Sequence, residues 1–332
     1  MSYNRIAVYG HRGRFSSKIL SALIASGAPI TVLYRPGSDV SSLPSSVPKI
    51  EVDVFDEDAL VAALQHIDIV LSLVGDEGID RELGFVRAIP RTGVKLFVPS
   101  DLGLQYDQEA LAIPVLQKKT NVREAARHAN IPFTVVLIAN FAEFTLGSMW
   151  VHLLPLALSL SLADQVWNLS VMGVDVQGNR LLYTGNAAKE KASMCTVDYV
   201  AAAYVSIFTT NPVSEIRNRA IGLVELAPTG QEIAAALEKR HGRKPAIFRQ
   251  STEQVTAEFL ARLDSDLSAL APAWYWRKLW GTGDLTRLLG SDIWHVPNVR
   301  KATLDDLIVK GEVDTYRDLS QVLPVLEEAM FK

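Results

Sequence analysis

Hydrophobic residues in the first part of the chain fall into short continuous runs that alternate with segments of helical spacing. The runs are apolar at nearly every position, as expected for strands that are buried on both faces of a parallel sheet. The repeated alternation indicates a doubly wound α/β fold, in which ligands bind at the carboxyl ends of the strands. The predicted strands are Arg5–Gly10, Pro29–Arg35, Lys49–Val54, Asp68–Gly75, Val94–Ser100 and Phe133–Asn140.

The rhythm of the pattern changes after about residue 145, where short strands and further helices follow without a clear linker. We therefore predict a Rossmann-type dinucleotide-binding domain over residues 1–145, built on a doubly wound parallel sheet. A smaller α+β lobe that binds substrate is predicted over residues 146–332. The helices predicted between the strands of the first domain are Ser16–Gly27, Asp56–Ile67, Asp80–Gly93 and Val115–Asn130.

Composition narrows the class of protein. The chain has 332 residues, of which 48% are hydrophobic, and a formal net charge of -4. This charge gives no reason to expect a nucleic-acid partner. Cys195 is the single cysteine, so an intrachain disulfide is impossible and a metal site built on cysteines is excluded. No metal is predicted, and we expect a cytoplasmic location without a signal peptide.

One apolar stretch, Phe144–Ala163, approaches the length of a membrane span. His152, Pro155 and several serines interrupt it, and its flanks are irregularly polar. These interruptions favour a buried or cleft-lining helix, and we expect no membrane partner.

The turn after the first predicted strand indicates a dinucleotide site. Gly10, Gly13 and Ser16 form the pattern G-x-x-G-x-x-S between a strand and a helix. Backbone amides in such a turn can approach a pyrophosphate, and the helix N-terminus adds a favourable dipole. The spacing is typical of the short-chain dehydrogenases, and serine is small enough for close packing at the third position.

Arg35, at the end of the second predicted strand, favours NADP(H) over NAD(H). An acidic residue usually binds the ribose hydroxyls of NAD(H) here, whereas a guanidinium can bind a 2′-phosphate. A solvated strand end is the alternative for Arg35, and His11 and Arg12 stay open between a phosphate contact and an exposed loop. The predicted cofactor contacts are Gly10, His11, Arg12, Gly13, Arg14, Phe15, Arg35, Ser38, Asp53, Val54, Ser72, Leu73, Val74, Gly75, Pro99, Ser100, Asn140 and Phe141.

Several motifs occur in a fixed order along the chain. They are the Gly10–Ser16 turn, LYRPGS, DVFDEDAL, VKLFVPSDLG, KTNVREAARHANIPFTVV, IANF and CTVDYVAAAYVSIF. The run K-x-x-V-R followed by I-P-F-T, from Lys119 to Thr134, is the most specific of them. On these motifs the chain resembles the NmrA-like and isoflavone-reductase-like branch of the atypical short-chain dehydrogenases. It departs from that branch at His11, Arg12 and Ser16, where the family has smaller residues.

The resemblance implies NADP(H) as cofactor, hydride transfer to a small and often aromatic substrate, and Lys119 as catalytic residue and cofactor contact. Lys118 is the neighbouring alternative. The resemblance also implies that residues 181–210 return in part to the main domain. None of the nine tyrosines has a lysine four positions later, so the usual Tyr-x-x-x-Lys pair is absent and a lysine-centred mechanism remains. Ser100 and Asp101, at the end of the fifth strand, complete the predicted catalytic set.

Three functions stay open: an NADPH-dependent reductase of a hydrophobic molecule in secondary metabolism, an NADP(H)-sensing regulator without turnover, and an isomerase or cyclase that retains NADP(H).

The stretches Trp150–Leu162 and Trp274–Trp280 are candidates for an apolar substrate wall, with ordinary core as the alternative. A monomer or homodimer is expected.

Overall fold

The structure is a computed structural model and describes residues 4–147, 172–265 and 271–313. The chain divides into two compact units. The first unit comprises Met1–Ile138, Val197–Leu223 and Leu289–Val299, and the second comprises Ala139–Thr196, Val224–Leu288 and Arg300–Lys332. The opening segment of the first unit ends at Ile138, and Val197–Leu223 returns to this unit after Ala139–Thr196. The predicted helix Trp150–Leu162 lies outside the described residues.

The described strands are short. In chain order they are β1 Ile6–Tyr9, β2 Ile30–Tyr34, β3 Lys49–Glu51, β4 Ile69–Ser72, β5 Leu96–Val98, β6 Val135–Leu137, β7 Asn140–Phe141, β8 Val174–Asp175, β9 Arg180–Thr184, β10 Met194–Cys195, β11 Ala220–Gly222 and β12 Ala246–Gln250.

The described α-helices include several of only four residues. They are α1 Arg14–Ala25, α2 Glu57–Ala63, α3 Glu82–Ala88, α4 Pro114–His128, α5 Ala142–Thr145, α6 Val197–Phe208, α7 Val213–Ile216, α8 Gly230–His241, α9 Thr252–Leu263, α10 Ala271–Thr282 and α11 Asp284–Arg287. Short 3-10 helices occupy Asp76–Arg81, Ile89–Arg91 and Ala110–Ala112, and a π-helix occupies Asp305–Val309.

A five-stranded parallel sheet in the order β3-β2-β1-β4-β5 forms the first unit. This order confirms the doubly wound fold. The chain passes from β1 to β2 and β3 on one side of β1, and then crosses to β4 and β5 on the other side. The strands β1, β4 and β5 are buried at every position, which explains their apolar sequence.

The sixth predicted strand, Phe133–Asn140, is divided in the structure. A bridge between Phe97 and Phe133 places the chain beside β5, and β6 then pairs with β11 in parallel. Ala139 adopts a φ of 57°, a conformation that interrupts an extended strand. Asn140 therefore begins a separate strand, β7, which pairs with β10 in the second unit.

Helices cover the buried sheet of the first unit and contribute aromatic side chains to its core. Phe85 on α3 packs edge-on against Tyr9 at a centroid distance of 5.3 Å and stacks on Phe97 at 6.3 Å. Asp56 caps α2 by accepting a hydrogen bond from the backbone N–H of Ala59.

The second unit contains a three-stranded sheet in which β9 lies between parallel β12 and antiparallel β8. Capping boxes begin both α8, at Thr229, and α9, at Ser251. Helix α10 contains the predicted aromatic cluster and packs against α9 and β9. No helix in the described ranges is long and apolar enough to cross a membrane.

The contact between α3 and the loop after β3 provides a test of the core packing. A Cβ atom on Gly84 would collide with the backbone carbonyl oxygen of Val54, whereas a Cβ on Gly93 would have no neighbour within 4 Å. We expect Gly84→Ala to destabilise the protein by about 2 kcal/mol, because neither backbone can retreat easily. Gly93→Ala is the matched control and should change stability by less than about 1 kcal/mol. Urea unfolding of both variants measures this, and equal midpoints would contradict the packing described.

Candidate functional site

The turn between β1 and α1 rests directly against the end of β4. Gly10 has a φ of 98°, and a Cβ atom there would lie 2.6 Å from the carbonyl carbon of Leu73. Only glycine fits both restrictions. The Oγ of Ser16 donates a hydrogen bond of 2.9 Å to the carbonyl oxygen of Gly13, so serine at the third position closes the turn.

The N-terminus of α1 is suited to bind an anion. No side chain caps it, and its first turn contains no acidic residue. The neighbouring side chains of Arg12 and Arg14 are exposed, and Phe15 is half-buried. Backbone N–H groups and the helix dipole at such an end favour a phosphate.

His11 joins the glycine turn to the loop after β2. Its ring is buried, and Nε2 lies 2.9 Å from the carbonyl oxygen of Asp39. Hydrogen bonds from Ser41 lower the pKa of the Asp39 carboxyl, and the charges of Arg12 and His11 lower it further. The sequence left His11 open between a phosphate contact and an exposed loop, and the structure shows it bracing the loop that carries Arg35.

Arg35 lies directly after β2 with an exposed side chain that makes no hydrogen bond or ion pair to another described residue. The N–H of Ser38 donates to the carbonyl oxygen of Arg35 and closes a turn in which Gly37 has a φ of 73°. The guanidinium is therefore available for a ligand beside the glycine turn.

The other predicted cofactor residues of the first unit follow the carboxyl ends of neighbouring parallel strands, at the same edge as Gly10. Asp53 is exposed after β3, and its carboxylate accepts a hydrogen bond from the N–H of Phe55. The Oγ of Ser72 is buried at the end of β4, close to the carboxyl of Glu82. The remaining residues of this group are Val54, Leu73, Val74, Gly75 and Pro99. Asn140 and Phe141 belong to the second unit, where they form β7.

Ser100, Asp101 and Lys119 lie close together at the end of β5. The backbone N–H of Ser100 donates to Glu82 Oε1 at 2.7 Å, and its hydroxyl donates to the carbonyl oxygen of Val74 at 2.7 Å. Lys119, on α4, donates from Nζ to the carbonyl oxygen of Asp101 at 2.8 Å. The predicted catalytic residues Ser100, Asp101 and Lys119 are thus adjacent in space.

The side chain of Asp101 is fully engaged within the protein. Its buried carboxylate accepts a hydrogen bond of 2.7 Å from the hydroxyl of Tyr106 and two from the guanidinium of Arg123. That guanidinium also lies over the Tyr106 ring, with its carbon 4.7 Å from the centroid. Burial raises the pKa of Tyr106 well above its usual value, so the phenol stays protonated and donates to Asp101. Asp101 is thereby bound to α4 twice, through its carboxylate to Arg123 and through its backbone carbonyl to Lys119.

Glu82 lies beneath the same edge and is completely buried at the first position of α3. Burial raises its pKa to about 7, although the hydroxyl of Ser72, the N–H of Ser100 and the charge of Lys119 all favour the ionised form. The carboxyl is therefore poised to exchange a proton near neutral pH, next to Lys119.

Sequence reasoning missed Glu82 and Tyr106, and it quoted Arg123 within a motif without giving it a role. Arg123 follows Lys119 by one helical turn, so a shared helix face was a signal that could have been used. Glu82 follows Asp80 and Arg81 in a charged stretch, and nothing in the sequence distinguishes it from these neighbours.

Comparison with known proteins identifies the family. A model of the NmrA-like family matches residues 2–271, so the chain belongs to this family. The chain is 28% identical over 165 residues to the isoflavone reductase homolog IRL of Zea mays, which covers 46% of this chain and 53% of the relative. It is 32% identical over 172 residues to pinoresinol reductase 1 of Arabidopsis thaliana. This match covers 46% of this chain and 54% of the relative. These matches span about half the length of the curated relatives.

A solved structure shares the fold over most of this chain. AtPrR2, determined with NADP+ and (+)pinoresinol, superposes with a TM-score of 0.73 at 22% identity, covering 93% of this chain and 99% of the other. At this identity the superposition establishes the shared fold.

Glu82 gives the site a testable pH dependence. Its pKa rises from 4.5 to about 7 on folding, so the folded protein binds the extra proton between these values and loses stability as the pH rises through them. We expect Glu82→Gln to escape this loss, gaining on the order of 3 kcal/mol relative to wild type between about pH 4.5 and pH 8. Urea unfolding at several pH values measures the difference.

Glu77→Gln, which removes an exposed carboxylate from the same part of the chain, is the matched control. Parallel pH profiles for wild type and Glu82→Gln would contradict the assignment.

Proposed function

We propose that the protein is an NADPH-dependent reductase of a hydrophobic small molecule of secondary metabolism, with Lys119 as the proton or hydrogen-bond donor. The observation that carries this proposal is the bond from Lys119 Nζ to the carbonyl oxygen of Asp101 at the carboxyl edge of the sheet. Active sites of doubly wound folds lie at this edge. The names of the relatives, isoflavone reductase and pinoresinol reductase, support a reductase of this type.

The residues at this edge fit NADP(H). Backbone amides of the Gly10–Phe15 turn and the uncapped end of α1 would hold the pyrophosphate. Arg35 would bind the 2′-phosphate, on the loop that His11 braces. The buried Ser72 hydroxyl at the end of β4 can form a further hydrogen bond. The bound cofactor would supply the hydride.

Lys119 can then stabilise the negative charge that develops on the substrate. An ammonium has three N–H donors, and the Asp101 carbonyl takes one of them. The others can donate to a substrate oxygen that becomes negative as its carbon is reduced, and transfer of one proton completes the addition of hydride and proton. Arg123 and Tyr106 hold Asp101 still, which fixes the position of the ammonium.

A regulator that binds NADP(H) without turnover is the second candidate, because the matched family is the NmrA-like family. Such a protein needs the glycine turn and Arg35 but has no need of a fixed Lys119. An isomerase or cyclase that retains NADP(H) would convert its substrate without net loss of the cofactor, so product mass distinguishes it.

Cofactor choice should depend on Arg35. We expect Arg35→Asp to weaken NADPH binding at least about tenfold, because a charged hydrogen-bonded contact contributes roughly 1.5–3 kcal/mol. NADH binding should change little, since NADH lacks the 2′-phosphate. Arg87→Asp, at an exposed arginine on α3, makes the same change of charge away from the turn and is the control. Calorimetric titration measures both cofactors, and equal losses for both would contradict a role for Arg35 in selectivity.

Turnover should depend on Lys119 and not on Lys118. Lys118 is exposed and pairs with Asp80 at 2.5 Å, so it is a matched control on the same helix. We expect Lys119→Ala to lower turnover by about 10²–10⁴ with little change in NADPH affinity, as for the loss of a positioned acid. Lys118→Ala should be nearly neutral.

The assay follows NADPH absorbance and product mass with a panel of hydrophobic enones, imines and aryl ethers. Undiminished turnover by Lys119→Ala would remove this lysine from the mechanism. Tight NADPH binding without turnover on any member of the panel would favour the regulator.

A further inference from the structure

A buried arginine in the second unit has no hydrogen-bond partner among the described residues. The side chain of Arg277, on α10, is 1% exposed, and its Nε, Nη1 and Nη2 atoms all lack a partner. A guanidinium carries five N–H donors, and buried donors are normally satisfied. Arg277 therefore differs from Arg123 of the first unit, whose guanidinium is bound to Asp101.

The surroundings of Arg277 compensate its charge only in part. The nearest carboxylate oxygen is Oε2 of Glu258, 4.0 Å from Nη2, which is too far for a hydrogen bond. The same oxygen accepts a bond of 2.6 Å from the indole N–H of Trp274. The Trp274 ring lies 4.9 Å from the guanidinium carbon of Arg277 and 5.0 Å from that of Arg262. Two cations thus share one ring, and the carboxylate near Arg277 is itself partly exposed.

Arg277 remains charged in spite of its burial. Loss of hydration lowers its pKa to about 10, which still leaves the guanidinium protonated at neutral pH. Leaving a buried cation without a full partner is strongly unfavourable, and an anion that arrives from outside recovers that energy.

Further unsatisfied polar atoms lie on β9, against which α10 packs, and on its neighbour β12. Gly281 follows Arg277 by four residues and therefore lies on the same helix face. A Cβ on Gly281 would be 2.5 Å from the carbonyl oxygen of Thr184, at the end of β9. Thr184 is paired in register with Gln250 of β12, and the Oγ1 of the former and the Oε1 of the latter are both buried without partners.

We propose that Arg277 binds the acidic group of a ligand, namely the carboxylate of an aromatic acid. A guanidinium presents two parallel N–H groups that match a carboxylate in geometry and charge. The buried indole of Trp274 lies beside the guanidinium, and an aromatic ring is a favourable neighbour for an aryl group next to the acid. The proposal goes beyond the proposed function, and binding of the acid does not depend on it.

Calorimetric titration tests the proposal on the full chain, with and without NADP+. The probes are cinnamate and the uncharged cinnamyl alcohol. We expect wild type to bind cinnamate at least about tenfold more tightly than the alcohol, and Arg277→Met to lose that preference. Arg262→Met removes the other guanidinium on the Trp274 ring and should keep the preference.

Thermal unfolding without ligand separates this role from a structural one. Replacing an unpaired buried cation by an apolar side chain of similar length should leave Tm unchanged or raise it. Equal affinity for acid and alcohol in wild type, or a preference retained by Arg277→Met, would overturn the proposal, as would a lower Tm for this variant. These readouts involve no turnover, so they remain decisive if the reductase activity is absent.

Discussion

The buried carboxylate of Asp101 is the constraint on which the candidate active site depends. It receives two hydrogen bonds from Arg123 and one from Tyr106, and its own backbone carbonyl receives the ammonium of Lys119. Removing one member of a buried charged pair costs about 3–5 kcal/mol, so the loop after β5 is strongly held to α4. Lys119 and Arg123 lie one turn apart on that helix, which couples the position of the lysine to the ion pair.

The opposite side of the site depends on close contact between backbones. The glycine turn after β1 touches the backbone at the end of β4, and His11 extends this contact to the loop that carries Arg35. These contacts fix the uncapped end of α1 and the loop of Arg35, while Asp101 holds the ammonium of Lys119. Such preorganisation is what binding and transition-state stabilisation both require.

The sequence predicted those parts of the molecule whose structure depends on residues close together in the chain. Continuous apolar runs located the strands of the parallel sheet, and the glycine pattern located the turn, because both follow from burial and backbone freedom. The break at Ala139, the loop contact of His11, the bond of Glu82 and the burial of Arg277 depend on residues distant in sequence. Spacing along one chain does not encode such contacts. Lys119 was found through a motif resemblance, and its bond to Asp101 became visible only in three dimensions.

A crystal structure of the protein with NADP+ tests the central claim most directly. The account predicts the pyrophosphate on the amides of the Gly10–Phe15 turn, the 2′-phosphate at Arg35, and Lys119 facing the nicotinamide while it still donates to the Asp101 carbonyl. A cofactor bound elsewhere, or a Lys119 ammonium turned away from the nicotinamide with Asp101 still held by Arg123, would contradict it.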